Sequence, residues 1–293
     1  MEVRSALLGA KGKEFSNIQV QSLSGVQRYT MPRTQHAPRL VHGLTPYQDL
    51  SVLFCDMFNT FSEKAVASIA ENLLDLKRQI SVAEAQAGRD PESTILVAAS
   101  KARTTDMIQS AYAAGVRHFG ENYIDEAVTK INSVKLPHAT WHFIGRIQSN
   151  KTRHIVRHFD WVHTIDRIKI ADRLASQREH TPLNVLIQVN IDKDPAKAGA
   201  MPEDVEQLAQ HVTALSNLRL RGLMTILNQT ANSAASYNSV AQLAARIRTG
   251  LSSTQGQHWD TLSMGMSGDI EAAILAGATH VRIGTALFGP RTA

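Results

Sequence analysis

Lys101 closes an apolar, strand-like run, Ile95-Leu96-Val97-Ala98-Ala99-Ser100, and Thr104-Thr105-Asp106 just behind it reads as a helix start. A lysine carried by a buried strand to the rim of a sheet has a desolvated stem, and its amine can lose a proton and attack a carbonyl carbon. The ordinary alternative is a solvated surface lysine, the commoner use of this residue. What favours chemistry is the company at the ends of other strand-like runs. Glu121-Asn122-Tyr123 follows one, Trp141-His142-Phe143 forms another, and Ser263-Met264-Gly265-Met266-Ser267 and Arg282-Ile283-Gly284-Thr285 end two more.

These residues need a scaffold that brings strand ends together. Eight short apolar runs alternate with amphipathic stretches: Ile95–Ser100, Val116–Gly120, Trp141–Gly145, Trp161–Ile165, Val185–Asn190, Leu220–Ile226, Thr261–Met264 and His280–Gly284. Helical spacing lies between them, as in Met107-Ile108-Ala111-Tyr112 and Val205-Leu208-Ala209-Val212. Strands separated by helices give parallel β/α units. The count of eight favours a closed (β/α)8 TIM barrel over an open doubly wound sheet, and no Gly-x-Gly-x-x-Gly follows the first run. Gly289-Pro290-Arg291 leaves no room for a helix after the eighth run, so the amphipathic segment from Ser62 to Ala87 is expected to fill that place in the outer ring. One domain, residues 57–293, then accounts for everything after the first 56 residues.

Residues 1–56 show no sustained period and contain Pro32, Pro38 and Pro46, so they are expected to be a disordered N-terminal extension outside the barrel. Glu2, Glu14, Asp49 and Asp56 argue against a targeting segment, and Met57 offers an alternative start of translation. The net charge of +5 contains no basic block or aromatic-interleaved stripe, which disfavours nucleic acid as a partner. Cys55 is the only cysteine, in keeping with a reducing, cytoplasmic setting. No apolar run approaches the roughly 18 residues of a membrane span.

In a barrel of this kind the strand ends form the functional mouth, and the last two often hold a phosphate. Ser267, before Gly268, Asp269 and the helical run Ile270–Ala276, is expected to cap that helix and present backbone N–H groups to an anion. Gly284-Thr285 would give a second close approach. Arg282 and Gly284 share the inward face by period-two alternation. The Arg282 guanidinium needs an acceptor: Glu121 or Asp166 in a structural ion pair, or the ring nitrogen of a heteroaromatic cofactor. An amine, a phosphate cradle and a ring-nitrogen partner together describe a site for pyridoxal 5′-phosphate held as a Schiff base.

The chain resembles the pyridoxal phosphate homeostasis proteins from about Ser62 to Arg291. The resemblance is carried by Ala98-Ala-Ser-Lys101, His118-Phe-Gly-Glu-Asn-Tyr123, Trp141-His-Phe-Ile-Gly145 with Gln148-Ser-Asn-Lys151, Leu262-Ser-Met-Gly-Met-Ser267 and Val281-Arg-Ile-Gly-Thr285. It implies a single-domain, fold-type III barrel related to the N-terminal domain of alanine racemase, binding pyridoxal 5′-phosphate without turnover. It further implies an aldimine on Lys101, Arg282 at the pyridine nitrogen, Ser267, Gly284 and Thr285 at the phosphate, and Asn122, His142 and Met264 around the cofactor, with no catalytic or metal-binding residue. The role implied is to buffer the cofactor and deliver it to pyridoxal phosphate-dependent apoenzymes. A domain of this type needs no partner to bury its core, so a monomer is expected.

Two positions depart from or qualify the pattern. Arg103 stands where many relatives carry a second lysine, and it cannot form an aldimine. Lys197 is either a secondary cofactor contact or a solvated loop residue. Functions of other classes stay open on the residues alone. An amino-acid racemase or lyase would use Tyr123 or His142 for proton transfer, although the chain ends at Ala293, soon after the eighth run, leaving no room for the further domain that supplies a racemase's second acid/base. A Schiff-base aldolase would place a sugar phosphate in the cradle.

Overall fold

The computed structural model describes residues 17–22, 25–30, 68–179, 181–228 and 233–290. Within the first 56 residues it describes β1 (Asn17–Ser22) and β2 (Gly25–Thr30), an antiparallel pair in register from Asn17↔Thr30 to Ser22↔Gly25. The sequence alone indicates no element there; the rest of that stretch, and the start at Met57, lie outside the described residues. The chain falls into two compact units, Met1–Asp56 and Met57–Ala293.

The second unit is a closed parallel barrel. A helix α1 over residues 68–86 comes first, followed by β3 (Ile95–Ala99), α2 (Thr105–Ala113), β4 (His118–Glu121), α3 (Ile124–Ser133), β5 (Thr140–Phe143) and α4 (Thr152–His158). Then come β6 (Trp161–Ile165), α5 (Ile168–Gln177), β7 (Leu183–Gln188), α6 (Val205–Thr213), β8 (Leu218–Met224) and α7 (Ser233–Gly250). The chain closes the ring with β9 (Thr261–Ser263), α8 (Ile270–Leu275), β10 (His280–Ile283) and α9 (Thr285–Phe288). Strand β10 pairs with both β3 and β9, which leaves no open edge.

Each of the eight expected runs corresponds to one barrel strand, displaced by one or two residues at its ends in all but β6. In α1, Ile69, Leu73, Leu76, Ile80 and Ala83 recur at alternating intervals of four and three, so one stripe is buried on the barrel. Asn72 Nδ2 donates to Leu287 O at 3.0 Å, joining α1 to the end of the barrel chain. The sequence suggests no helix after the eighth strand, and the structure corrects this. Residues 285–288 form α9, a single turn that ends at Gly289.

Period-two alternation sorts the strands into two layers. Val281 and Ile283 of β10, Trp141 and Phe143 of β5, and Val162 of β6 join the apolar layer between strands and helices. Their neighbours His280, Arg282, His142 and His163 are also buried. The bond from His163 of β6 to Ser263 of β9 joins strands that are not neighbours, so it crosses the barrel interior. The interior therefore holds a polar column beside Trp161, Leu186 and Met224. No described helix is long and apolar enough to cross a membrane.

Candidate functional site

The mouth begins with the turn after β3. Thr104 caps α2 as the sequence indicates, its hydroxyl accepting from Met107 N at 3.3 Å. Between β3 and that cap the backbone is held tightly. Ser100 N donates to Gly120 O, and Ala102, in the left-handed region at φ 55°, donates its N–H to Glu126 Oε1 at 2.7 Å. Lys101, half-buried, is thus presented from a turn fixed at both ends.

The clamp beneath it is absent from the sequence reading. Glu121, fully buried at the end of β4, accepts from Ser100 Oγ at 2.7 Å and from Lys130 Nζ at 2.9 Å. Lys130 also donates to Ser100 O and pairs with Glu126 Oε1, each at 2.6 Å. Burial pushes the Glu121 carboxyl above its ordinary range, while Ser100 and Lys130 pull it back. A signal for the clamp does exist. Lys130 shares a three-residue spacing with buried Ile124 and Ala127, and a lysine on the apolar stripe of a helix requires a buried acceptor.

Arg103 donates to Gly289 O at 2.5 Å and Pro290 O at 3.0 Å. It holds the end of α9 against the Lys101 turn. The neighbouring register brings Ile283 opposite Ala98, and a Cβ on Gly284 would lie 3.5 Å from Ala99 O. Lys101 and Gly284 therefore share one sector of the rim.

Asn122 follows β4, and its Oδ1 is buried without a hydrogen-bond partner among the described residues. Gly145 at the end of the next strand is obligatory, because a Cβ there would stand 2.0 Å from Asn122 O. Tyr123 is 63% exposed at this rim.

On the other side, Arg282 is not paired with Glu121 or Asp166, the two carboxylates that the sequence offers it. Glu121 is taken by Lys130, and Asp166 pairs with Arg167. Arg282 Nη1 donates to Ser263 Oγ at 2.8 Å and Nη2 to Thr225 O at 2.7 Å. Burial lowers its pKa to about 10, with Tyr237 and Asp269 opposing the shift, so it stays charged at neutral pH.

Three further expectations are corrected here. Ser267 does not cap α8: Asp269 is the N-cap, its Oδ1 accepting from Met266 N at 2.6 Å and its Oδ2 from Tyr237 OH at 2.8 Å. The Asp269 side chain makes no bond into the helix and instead ties the preceding turn to Met266 and Tyr237, and Ser267 and Gly268 are left exposed in that turn. Gly265, at φ +96°, starts that turn, and a Cβ there would meet Ala273 Cβ at 2.6 Å. Met264 packs its fully buried side chain into the apolar layer, since alternation turns it away from Ser263. His142 lies within the polar column instead of at the rim: its Nε2 is 2.9 Å from His118 Nδ1 and its Nδ1 is 2.9 Å from His163 Nε2.

Desolvation holds His142 and His163 well below the usual histidine range, with neighbouring histidines adding to the effect, and both are neutral. His280 is lowered to about 3, first by burial. Lys197 donates to Ile226 O at 3.3 Å, a backbone tether to the end of the neighbouring β8 segment.

The arrangement offers an amine on a fixed turn, an amide oxygen without a partner among the described residues, an exposed serine-glycine turn beside a second glycine turn, and a buried guanidinium. Those features suit a flat, anionic, carbonyl-bearing ligand. Residues 72–292 match the family described as the alanine racemase N-terminal domain. The chain is 50% identical over 231 residues to the pyridoxal phosphate homeostasis protein of Pseudomonas aeruginosa, covering 77% of this chain and 97% of that one. It is 48% identical over 228 residues to the protein of that name from Escherichia coli, covering 76% and 97%. Among solved structures, PipY of Synechococcus elongatus with pyridoxal phosphate bound is similar at 35% identity and a TM-score of 0.66, over 75% of this chain and 100% of that one. Alanine racemase of Corynebacterium glutamicum shares the fold at 16% identity and a TM-score of 0.58, with 62% of its chain covered.

Proposed function

This chain belongs to the pyridoxal phosphate homeostasis family, built on the alanine racemase N-terminal domain, and from that membership we propose that it binds pyridoxal 5′-phosphate covalently through Lys101 at the barrel mouth. Its role is cofactor homeostasis: holding the cofactor, keeping the free aldehyde low, and releasing it to apoenzymes that depend on it. The observation that carries the reading is Lys101 itself, offered from a turn clamped by Glu121, Glu126 and Lys130 in the sector of the rim shared with Gly284.

The residues present fit the cofactor. Asn122 Oδ1 is a buried acceptor without a partner among the described residues, the Ser267-Gly268 turn and Gly284-Thr285 can approach phosphate oxygens by backbone, and Arg282 can donate to a ring nitrogen. When bound, the cofactor supplies an electrophilic carbonyl carbon and an electron-withdrawing ring. Arg282 is a donor in every state, so it leaves a ring nitrogen without a proton and favours storage over carbanion chemistry.

A racemase or lyase using the same lysine is the second reading. It gains little from His142, whose two ring nitrogens are both engaged by other histidines. Tyr123 remains as a proton-transfer group at the rim. The protein is taken to act as a monomer.

The test is an absorbance spectrum after incubation with pyridoxal phosphate and desalting, beside the Lys101→Ala variant. A visible band retained by the protein and lost in the variant supports the reading. No retained band in either protein overturns it and favours a sugar phosphate trapped at Lys101 by borohydride. Exchange of the α-hydrogen of common amino acids in deuterated solvent would favour the racemase or lyase.

A further inference from the structure

The polar column in the barrel interior is a continuous chain of hydrogen bonds that ends on Arg282. His118 Nδ1 lies 2.9 Å from His142 Nε2, His142 Nδ1 lies 2.9 Å from His163 Nε2, and His163 Nδ1 lies 2.9 Å from Ser263 Oγ. Ser263 Oγ accepts from Arg282 Nη1 at 2.8 Å. The chain draws on β4, β5, β6, β9 and β10, and all its members from His142 to Arg282 are buried.

A guanidinium has no acceptor atom, so one end of this chain has a fixed sense. Ser263 Oγ accepts from Arg282, and the only other described partner within reach of its hydroxyl is His163 Nδ1. The hydroxyl must donate there, which leaves the His163 proton on Nε2. His163 then donates to His142 Nδ1, and His142 donates from its own Nε2 to His118 Nδ1. Reversing the sense would aim His163 Nδ1–H at Ser263 and strand a buried hydroxyl proton. Such an unsatisfied group is unfavourable enough to suppress the reversed form about tenfold or more.

We propose that Ser263, His163 and His142 are positioning residues for Arg282, a directional chain that fixes where the guanidinium points beneath the mouth. This rests on the pyridoxal phosphate reading above, since it assigns Arg282 as the partner of the ring nitrogen. Thr225 O holds Nη2 at 2.7 Å and Ser263 holds Nη1, so the planar fork has one orientation. Ser263 has one orientation only because neutral His163 accepts from it. The stacking of His142 on Trp161, with centroids 5.6 Å apart and planes at 22°, keeps the next link from rotating.

The experiment has two arms. The first uses the cofactor-free protein at neutral pH and reads ring-nitrogen chemical shifts by 15N NMR, assigned with His142→Gln and His163→Gln. Protons on Nε2 of both histidines are expected; a proton on Nδ1 of His163 overturns the proposal whatever the protein binds. The second arm measures pyridoxal phosphate affinity and the position of the bound band in Ser263→Ala and Ser263→Thr. Affinity is expected to fall about tenfold in Ser263→Ala with a shifted band, and to recover in Ser263→Thr, which keeps the hydroxyl. Unchanged affinity and an unshifted band in Ser263→Ala overturn positioning. Failure of the unsubstituted protein to bind the cofactor at all would sink the proposed function, and with it the role of the chain, while the tautomer result would still stand for the apoprotein.

Discussion

Replacing Lys130 by Met isolates the clamp under the Lys101 turn. The ammonium lies in a nearly closed site, with 7% of the side chain exposed, and faces a carboxylate that is 0% exposed. The substitution keeps most of the apolar stem and deletes contacts to Ser100 O at 2.6 Å, Glu121 Oε1 at 2.9 Å and Glu126 Oε1 at 2.6 Å. Glu121 is left as a buried charge that still accepts from Ser100 Oγ. Removing one partner of a buried pair in this way costs about 3–5 kcal/mol. The pH dependence distinguishes this cause from a general packing defect. Glu121 already has a folded pKa raised above the ordinary 4.5, first by burial. For such a group the folded state binds more protons than the unfolded state, so stability falls as pH rises from the unfolded to the folded value. Losing Lys130 moves the folded value higher still. The deficit of Lys130→Met should therefore grow by about 1.4 kcal/mol per pH unit between the two folded values and level off above them. Urea unfolding of the cofactor-free proteins across roughly pH 5 to pH 8 measures it. A deficit independent of pH would refute the assignment of the cost to an uncompensated Glu121 charge. The double variant Lys130→Met/Glu121→Gln should recover much of the loss at the alkaline end.

Other outcomes follow from single contacts. Gly145→Ala would bring a Cβ to 2.0 Å from Asn122 O and should cost at least about 2 kcal/mol by backbone displacement, read as a lower calorimetric Tm; an unchanged Tm would contradict the geometry. Arg103→Ala should raise amide hydrogen exchange across residues 285–290, since it deletes donors to Gly289 O and Pro290 O, while Arg103→Lys should restore that protection only in part because it lacks the fork. Asp269→Ala removes the acceptor for Met266 N and for Tyr237 OH, and should cost about 1–2 kcal/mol; Ser267→Ala should change stability by less than about 0.5 kcal/mol in the same denaturation assay.

What can be read from the sequence follows from the reach of its periodicities. The alternation of apolar runs with amphipathic stretches points to eight parallel strands, because both periods are local and persist over enough residues to be counted. The inward face of Arg282 follows from the same alternation. Lys101 draws notice in the sequence only through its neighbours, since a charged residue at the end of an apolar run is by itself most often a solvated one. Alternation assigns a face but neither depth nor partner, and this is where expectation fails. His142 lies on the interior face, but below the rim. Met264, one residue after Ser263, looks like a cofactor contact from its position at a strand end, whereas its parity sends the side chain outward. The capping residue of α8 turns on a choice between two candidates two positions apart, and boundaries are set at that resolution by the hydrogen bonds of the turn.

The contacts that organise the mouth are least legible because a closed barrel makes neighbours of residues with no characteristic spacing. His163 and Ser263 are 100 positions apart, and Arg282 and Thr225 are 57 apart. No local pattern relates them, yet each step is forced once the barrel exists. A guanidinium on the inner face of β10 needs acceptors, β9 supplies a hydroxyl and the end of β8 a carbonyl, and that hydroxyl needs an acceptor in turn. The outer layer of this barrel is apolar and tolerant of volume-conserving exchange. The inner column is polar and its hydrogen bonds run in series from His118 to Arg282, so substitution within it propagates to Arg282. Sequence variation that leaves function intact should accordingly be dense among the residues packed between strands and helices and sparse along the column from His142 through His163 and Ser263.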